Sequence, residues 1–198
     1  MEQLDCLKKY DIILGSQSPR RKALMEGAGI PFRVEARPTK EVFPEGLSPV
    51  EVVKLLCRQK ALEFSEELKN PLAVVITADT IVVHRGRIIN KPVDEADAIA
   101  MLKGLSGSMH EVYTGVCICR GTEVHYIYDR SAVHFRHLTE QEICHYVEHY
   151  APYDKAGAYG IQEWIGYVGI NGIEGSYHNV MGLPVHKVYE ALLGMLCP

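Results

Sequence analysis

What the chain does not contain narrows it quickly. Its six cysteines, at positions 6, 57, 117, 119, 144 and 197, form no C-x-x-C pair. Cys117 and Cys119 stand two apart and share one face if their segment is a strand, so both read as core packing rather than metal ligands. The expectation is a reduced chain without structural zinc, located in the cytoplasm; the nine histidines read as dispersed and add no zinc set. No apolar run approaches the ~20 residues of a membrane helix; the most apolar covers residues 72–78. The opening MEQLDCLKKY carries acids and scattered apolar positions, unlike a signal peptide. Neither sign of charge dominates, with 21 Lys and Arg against 25 Asp and Glu and a net charge of -4. A nucleic-acid polymer or an acidic membrane is therefore not an expected partner, and any anion site must be local. The chain has no G-x-x-x-x-G-K-S/T phosphate loop, no G-x-S-x-G elbow, no internal repeat and no low-complexity tract.

What is present is ordinary globular composition, 47% apolar and 23% charged, in 198 residues that suffice for one domain over 1–198. Asp11-Ile12-Ile13-Leu14 is a short apolar run ending at Gly15, the pattern of a buried strand that stops in a tight loop. Ser18 is placed to cap a helix over 19–28, and Pro19 sits where its missing N–H costs nothing. Arg20 and Arg21 then fall in the first turn, the wrong end of the helix dipole for a cation. A bound anion would explain them, since backbone N–H groups and a guanidinium fork both suit phosphate. Pairing with acids, or simple exposure, explains them equally well.

Gly29 and Pro31 end this helix, residues 32–36 can return as a strand, and 39–46 read as an exposed loop. Ser48, Pro49 and Glu51 open a second helix with a capping box, and apolar residues at 52, 53, 56, 57, 61 and 64 give it a helical stripe. Residues 72–83 are the most strand-like in the chain and are expected to form a central strand, followed by a turn at 84–87 and a short hairpin strand at Ile88-Ile89. A third helix is expected over 94–102, closed by Gly104, then strands over 111–119 and 123–136 about Arg120-Gly121. Thr139 and Glu142 box a helix running to about 150, and a last helix covers 183–196. Residues 153–177, rich in glycine and aromatics, show no period. Helices alternating with strands of mixed direction make the class α/β with an antiparallel component.

Asp79 interrupts an apolar strand, where a carboxylate is costly unless it is hydrogen-bonded, paired or bound to metal. Acids at strand ends in α/β proteins commonly face a ligand. The other readings are an edge acid in solvent or a structural pair with Arg20 or Lys91. Thr80 points to the opposite face of a regular strand. Lys91, between a hairpin and a proline-led turn, and Lys60, inside an amphipathic helix, could each meet phosphate as a point charge or be plain surface. Glu41 in the polar loop could join a second acid in binding Mg²⁺ beside polyphosphate. In 154–162, close-approach glycines precede Gln162, whose amide can read a base edge as donor and acceptor; a packing and surface role is the alternative. Cations around a strand-end aspartate suit attack of water on a phosphoryl group, with the carboxylate orienting or deprotonating the water.

These segments, in this order, resemble the Maf family of nucleoside triphosphate pyrophosphatases over 12–193. The resemblance rests on Gly15-Ser16-Gln17-Ser18-Pro19-Arg20-Arg21, Arg58-Gln59-Lys60-Ala61, Ala78-Asp79-Thr80, Asn90-Lys91-Pro92, Leu105-Ser106-Gly107, Val112-Tyr113-Thr114-Gly115-Val116, Asp154 to Gln162, and Ile173 to Pro184. It implies hydrolysis of a nucleoside triphosphate between the α and β phosphates, with a divalent metal, Mg²⁺ or Mn²⁺. The implied fold is an elongated mixed sheet flanked by helices with a deep central cleft, similar to inosine triphosphate pyrophosphatases. The family's proton acceptor falls on Asp79, its phosphate-side residues on Ser16, Arg20, Lys60 and Lys91 with a loop acid near Glu41, and its base-selective positions on Arg20, Thr80 and Gln162. Ala158-Tyr159-Gly160-Ile161-Gln162 resembles the branch acting on dTTP and UTP; action on 7-methyl-GTP, or a division-regulating nucleotide-binding role with little turnover, are the rivals. A homodimer is the implied assembly. The chain departs from the family at Thr39-Lys40-Glu41, where Asp-Glu is usual, at Asn90, and at Glu163-Trp164, where glycine commonly follows the glutamine.

Overall fold

A computed structural model describes residues 2–197. The chain forms two compact units, one comprising the chain up to Asp79, Thr114–Asp129 and the chain from Gly182, the other Thr80–Tyr113 and Arg130–Met181. Seven strands make one mixed sheet in the order β2-β1-β3-β5-β6-β7, with β4 paired to β3. These are β1 Asp11–Leu14, β2 Arg33–Val34, β3 Ala73–His84, β4 Arg87–Ile89, β5 Met109–Arg120, β6 Glu123–Phe135 and β7 Ile170–Glu174. The α/β class with parallel and antiparallel pairs is as the alternation of patterns implies.

In the first unit β1 runs parallel to β2 and to the first part of β3, with Ile13 opposite Arg33 and Leu14 opposite Ile76. The connecting helix α2, Pro19–Gly27, starts as its sequence dictates: the Ser18 hydroxyl accepts from the Arg21 amide and Pro19 enters the first turn. Gly29 adopts φ 68°, the left-handed exit that a side chain would resist. Helix α3, Pro49–Leu62, carries the full Ser48–Glu51 capping box. Its stripe of Cys57 and Ala61, continued by Phe64, closes over Ile13, Val75, Cys117 and Cys119. Cys117 and Cys119 thus pack in the core from one face of β5, as their spacing implies.

The expectation of six reduced cysteines fails at one pair. Cys6 and Cys197 form a disulfide, joining α1, Glu2–Leu7, to the end of α8, Val185–Leu196. No spacing in the sequence signals a pair 191 residues apart. The short α1 was equally invisible, because its six residues are too few to show a period; Leu7 is fully buried, and the Tyr10 hydroxyl donates to the Leu196 carbonyl at 3.2 Å. The strand expected over 32–36 shrinks to two residues, since Arg37 turns out onto the Phe64 ring and to Glu35 and Glu67.

In the second unit Arg85 and Gly86, both at positive φ, turn the end of β3 into antiparallel β4. Helix α4, Glu95–Leu105, and helix α5, Glu140–Tyr150, share one core through Ala98, Leu102, Leu105, Ile143, Tyr146 and Val147. Gly104 does not stop α4 as expected; the helix runs past it, and Gly107 at φ 67° provides the turn. His110 lies in this core between the Phe135 and Tyr159 rings, its Nε2 2.8 Å from the Tyr159 hydroxyl. The periodless residues 153–177 become two 3-10 turns, at Pro152–Asp154 and Ala156–Ala158, then α6, Trp164–Gly169, and β7 antiparallel to β6. Helix α7, Tyr177–Met181, follows, with buried Asn179 donating to the Val112 carbonyl at 3.1 Å and the Ser131 hydroxyl at 2.9 Å.

Candidate active site

Alternation along β3 puts Thr77 and Asp79 on one face, and both are taken up by α3. The Thr77 hydroxyl donates to the Cys57 carbonyl at 2.7 Å, and Lys60, three residues on from Cys57, gives its ammonium to Asp79. Lys60 Nζ also lies 2.8 Å from Glu41 Oε1. Asp79 is only 8% exposed, so its charge demands this partner. The alternatives of an edge acid or a pair with Arg20 or Lys91 give way to the pair with Lys60. One ammonium is thus clasped by a strand acid and a loop acid.

Gly15 opens the neighbouring turn, and nothing larger fits: an added Cβ would stand 2.8 Å from a Thr77 methyl and 2.9 Å from the Phe64 ring. The Ser16 hydroxyl accepts from the Ser18 amide at 3.2 Å and from the Arg21 guanidinium at 3.2 Å. Arg21 Nε donates to the Gly182 carbonyl at 2.8 Å, which fixes the side chain from a second side. Burial lowers the Arg21 pKa, while the negative charge of Asp79 and of Glu41 opposes that fall and the adjacent Arg20 adds to it. Ser16, Arg20, Arg21, Lys60, Glu41 and Asp79 therefore form one charged neighbourhood within the first unit. Thr80, Lys91 and Gln162 belong to the second unit, Thr80 half-buried and Lys91 exposed after β4. There the Gly157 amide donates to the Asn90 carbonyl at 3.1 Å, tying the Lys91 loop to the turn that leads to Gln162.

A family model described as Maf-like protein matches residues 11–195. The chain belongs to that family. A Porphyromonas gingivalis relative named dTTP/UTP pyrophosphatase is 51% identical over 191 residues, 96% of each chain. Relatives of the same name from Bacteroides fragilis and Flavobacterium johnsoniae are 46% and 44% identical, over 94% of this chain and 96% and 95% of theirs.

Within this Maf-like chain, the sequence sets both Arg20 and Arg21 at the anion-type turn but the phosphate role fell to Arg20 alone; Arg21 carries the Ser16 and Gly182 contacts, and nothing in a Pro-Arg-Arg run distinguishes the two arginines. The histidines are less dispersed than they read. His145 and His149 stand four apart on α5 with ring centroids 4.3 Å apart. Among the described residues, however, no group of three His, Cys, Asp or Glu side chains is placed to hold a metal ion. The donor set that suits a divalent cation is Glu41 with Asp79, two hard oxygen ligands already converging on the Lys60 ammonium. Mg²⁺ or Mn²⁺ is commonly held by one or two carboxylates with substrate phosphates and water completing its shell. No helix among the described residues is long and apolar enough to cross a membrane.

Proposed function

We propose that this chain hydrolyses dTTP and UTP between the α and β phosphates, releasing nucleoside monophosphate and pyrophosphate. The observation that carries the reading is the buried Asp79 carboxylate, held by Lys60 beside Glu41 and within the field of Arg21 at the start of a phosphate-type helix turn. The names of the relatives supply the substrates.

In this reading Asp79 orients the attacking water and takes its proton, because it is the carboxylate that β3 presents among cations. Lys60 and Arg20 meet phosphate charge, Ser16 holding Arg21 in place for the same task. A divalent metal held by Glu41 and Asp79 would neutralise charge on the phosphates and on the leaving pyrophosphate. Lys91 is assigned to phosphate, and Thr80 and Gln162 to the base, as the family resemblance implies. The cytoplasm, where nucleoside triphosphates are made and used, is the proposed location, and a homodimer the proposed assembly.

The test is a panel of dTTP, UTP, CTP and 7-methyl-GTP with Mg²⁺ or Mn²⁺, scored for pyrophosphate against orthophosphate. Pyrophosphate from dTTP and UTP is expected. Asp79→Asn should lower turnover by about 10² or more, the scale of lost acid–base catalysis, while retaining nucleotide binding. Orthophosphate as the sole product, or full turnover in Asp79→Asn, would overturn the assignment.

A further inference from the structure

Helix α5 carries a pair of metal-ligating side chains that the chemistry assigned to Asp79 does not use. His145 and His149 are both exposed and, four residues apart, share one face of the helix. Their ring centroids are 4.3 Å apart and the planes differ by only 35°. His149 Nδ1 lies 2.8 Å from the His145 carbonyl oxygen. A carbonyl only accepts, so Nδ1 carries the proton and the lone pair of the neutral ring is at Nε2. That is the tautomer of a metal-ligating histidine, whose other nitrogen commonly donates to a backbone carbonyl or carboxylate. His145 is steadied differently: its ring stands edge-on to Trp164, the first residue of α6, with centroids 5.0 Å apart at 71°.

Two imidazole nitrogens bound to one ion at ~2.0–2.1 Å stand about 3.3 Å apart at the tetrahedral angle. Rings whose centres are 4.3 Å apart can supply that separation. His149 also lies in the last turn of α5, the end of a helix at which the dipole favours a cation. We propose that His145 and His149 form a two-histidine chelate for a first-row transition-metal ion of the Zn²⁺, Ni²⁺ or Cu²⁺ class, with water in its remaining positions. Imidazole nitrogen suits these ions, whereas Mg²⁺ prefers oxygen, so the pair does not draw on the ion that Glu41 and Asp79 would hold. Residues four apart converge only while α5 is helical, so a bound ion favours the folded chain by mass action. Ring stacking without any ion is the competing account of the contact.

The chain supplies its own reporter, because Trp164 is its sole tryptophan and its ring meets that of His145. The experiment titrates Ni²⁺, a paramagnetic quencher, into the untagged full-length protein and into His149→Ala, and follows tryptophan emission. Ni²⁺ is preferred to Cu²⁺ because it does not oxidise the exposed Cys144 thiol next to His145. His149→Ala alters an exposed side chain and keeps the contact of His145 with Trp164. Saturable quenching is expected in the wild type, with an affinity for Ni²⁺ weaker by about tenfold or more in His149→Ala, since losing even a supporting group costs about 10–100-fold. Zn²⁺, whose d shell is full, should displace Ni²⁺ and restore the emission, while Mg²⁺ in millimolar excess should leave the quenching unchanged. Quenching that never saturates, or the same titration curve in His149→Ala, would overturn the chelate. So would loss of the Ni²⁺ signal on adding Mg²⁺, which would place the ion on carboxylates instead. Should His149→Ala fail to fold, the wild type still decides: quenching that Zn²⁺ cannot reverse overturns the proposal.

Discussion

His110 makes the stability of this protein depend on pH in a way that can be worked out. Its ring is 1% exposed, sits edge-on to Phe135 and Tyr159, and shares one hydrogen bond with the Tyr159 hydroxyl; Nδ1 is buried without a partner among the described residues. Charging it in place would strand an imidazolium among rings, so burial holds its pKa down to about 3, from an ordinary 6.5. The folded state therefore refuses a proton that the unfolded state accepts. Stability from this group is complete above pH ~6.5 and is lost as pH falls toward ~3. At 1.36 kcal/mol per pH unit the loss is about 1.4 kcal/mol at pH 5.5 and about 2.7 kcal/mol at pH 4.5. The assay is urea unfolding of wild type and His110→Phe at intervals between pH 7.5 and pH 4.5. The substitution shifts stability at every pH, leaving Tyr159 without its partner, but removes only one titration. The difference between the two proteins should change by about 2.7 kcal/mol across the range, in favour of the variant at acid pH. A difference that stays constant would show that His110 takes up its proton within the fold, and the burial argument would be wrong.

Three further outcomes follow from packing and charge. Lys60→Met leaves Asp79 and Glu41 facing each other without their shared cation, and should cost about 3 kcal/mol in denaturant unfolding; unchanged stability would mean that the carboxylates need no counter-charge. Gly115→Ala places a Cβ 2.7 Å from the Val53 carbonyl oxygen and should destabilise by about 1–3 kcal/mol, whereas a neutral result would show that α3 shifts freely on β5. Cys6→Ser, or reduction of the wild type, opens a loop of 191 residues and should cost up to about 5 kcal/mol by the chain-entropy argument; equal melting with and without reductant would sink it.

How far the chain could be read in advance depended on how locally each element is specified. Helix α3 announces itself through Ser48, Pro49, Glu51 and a clean stripe, and every stripe residue is buried where it should be. The segment around 153–177 could not be placed because its turns obey no period: Gly157 and Ala158 take positive φ, and the Gly160 amide is satisfied by a tyrosine hydroxyl from α5. The candidate site was legible as residue types. Asp79 was singled out because a carboxylate in an apolar strand needs a reason, and Lys60 because it stood on an amphipathic helix. Their union was not legible, since it depends on the register of α3 over β3, which the Thr77 hydroxyl sets by bonding the Cys57 carbonyl. Arg21 was legible only as one of a pair with Arg20; its own contacts depend on a carbonyl at Gly182, remote in sequence.

The bond between Cys6 and Cys197 turns the backbone between them into a covalent ring. A single cut in the loop around Val42, which is 65% exposed, would linearise that ring without separating its halves. Clipped protein would migrate as one species on a non-reducing gel and fall into two fragments only after thiol treatment, so a proteolytic nick here is invisible until the disulfide is broken.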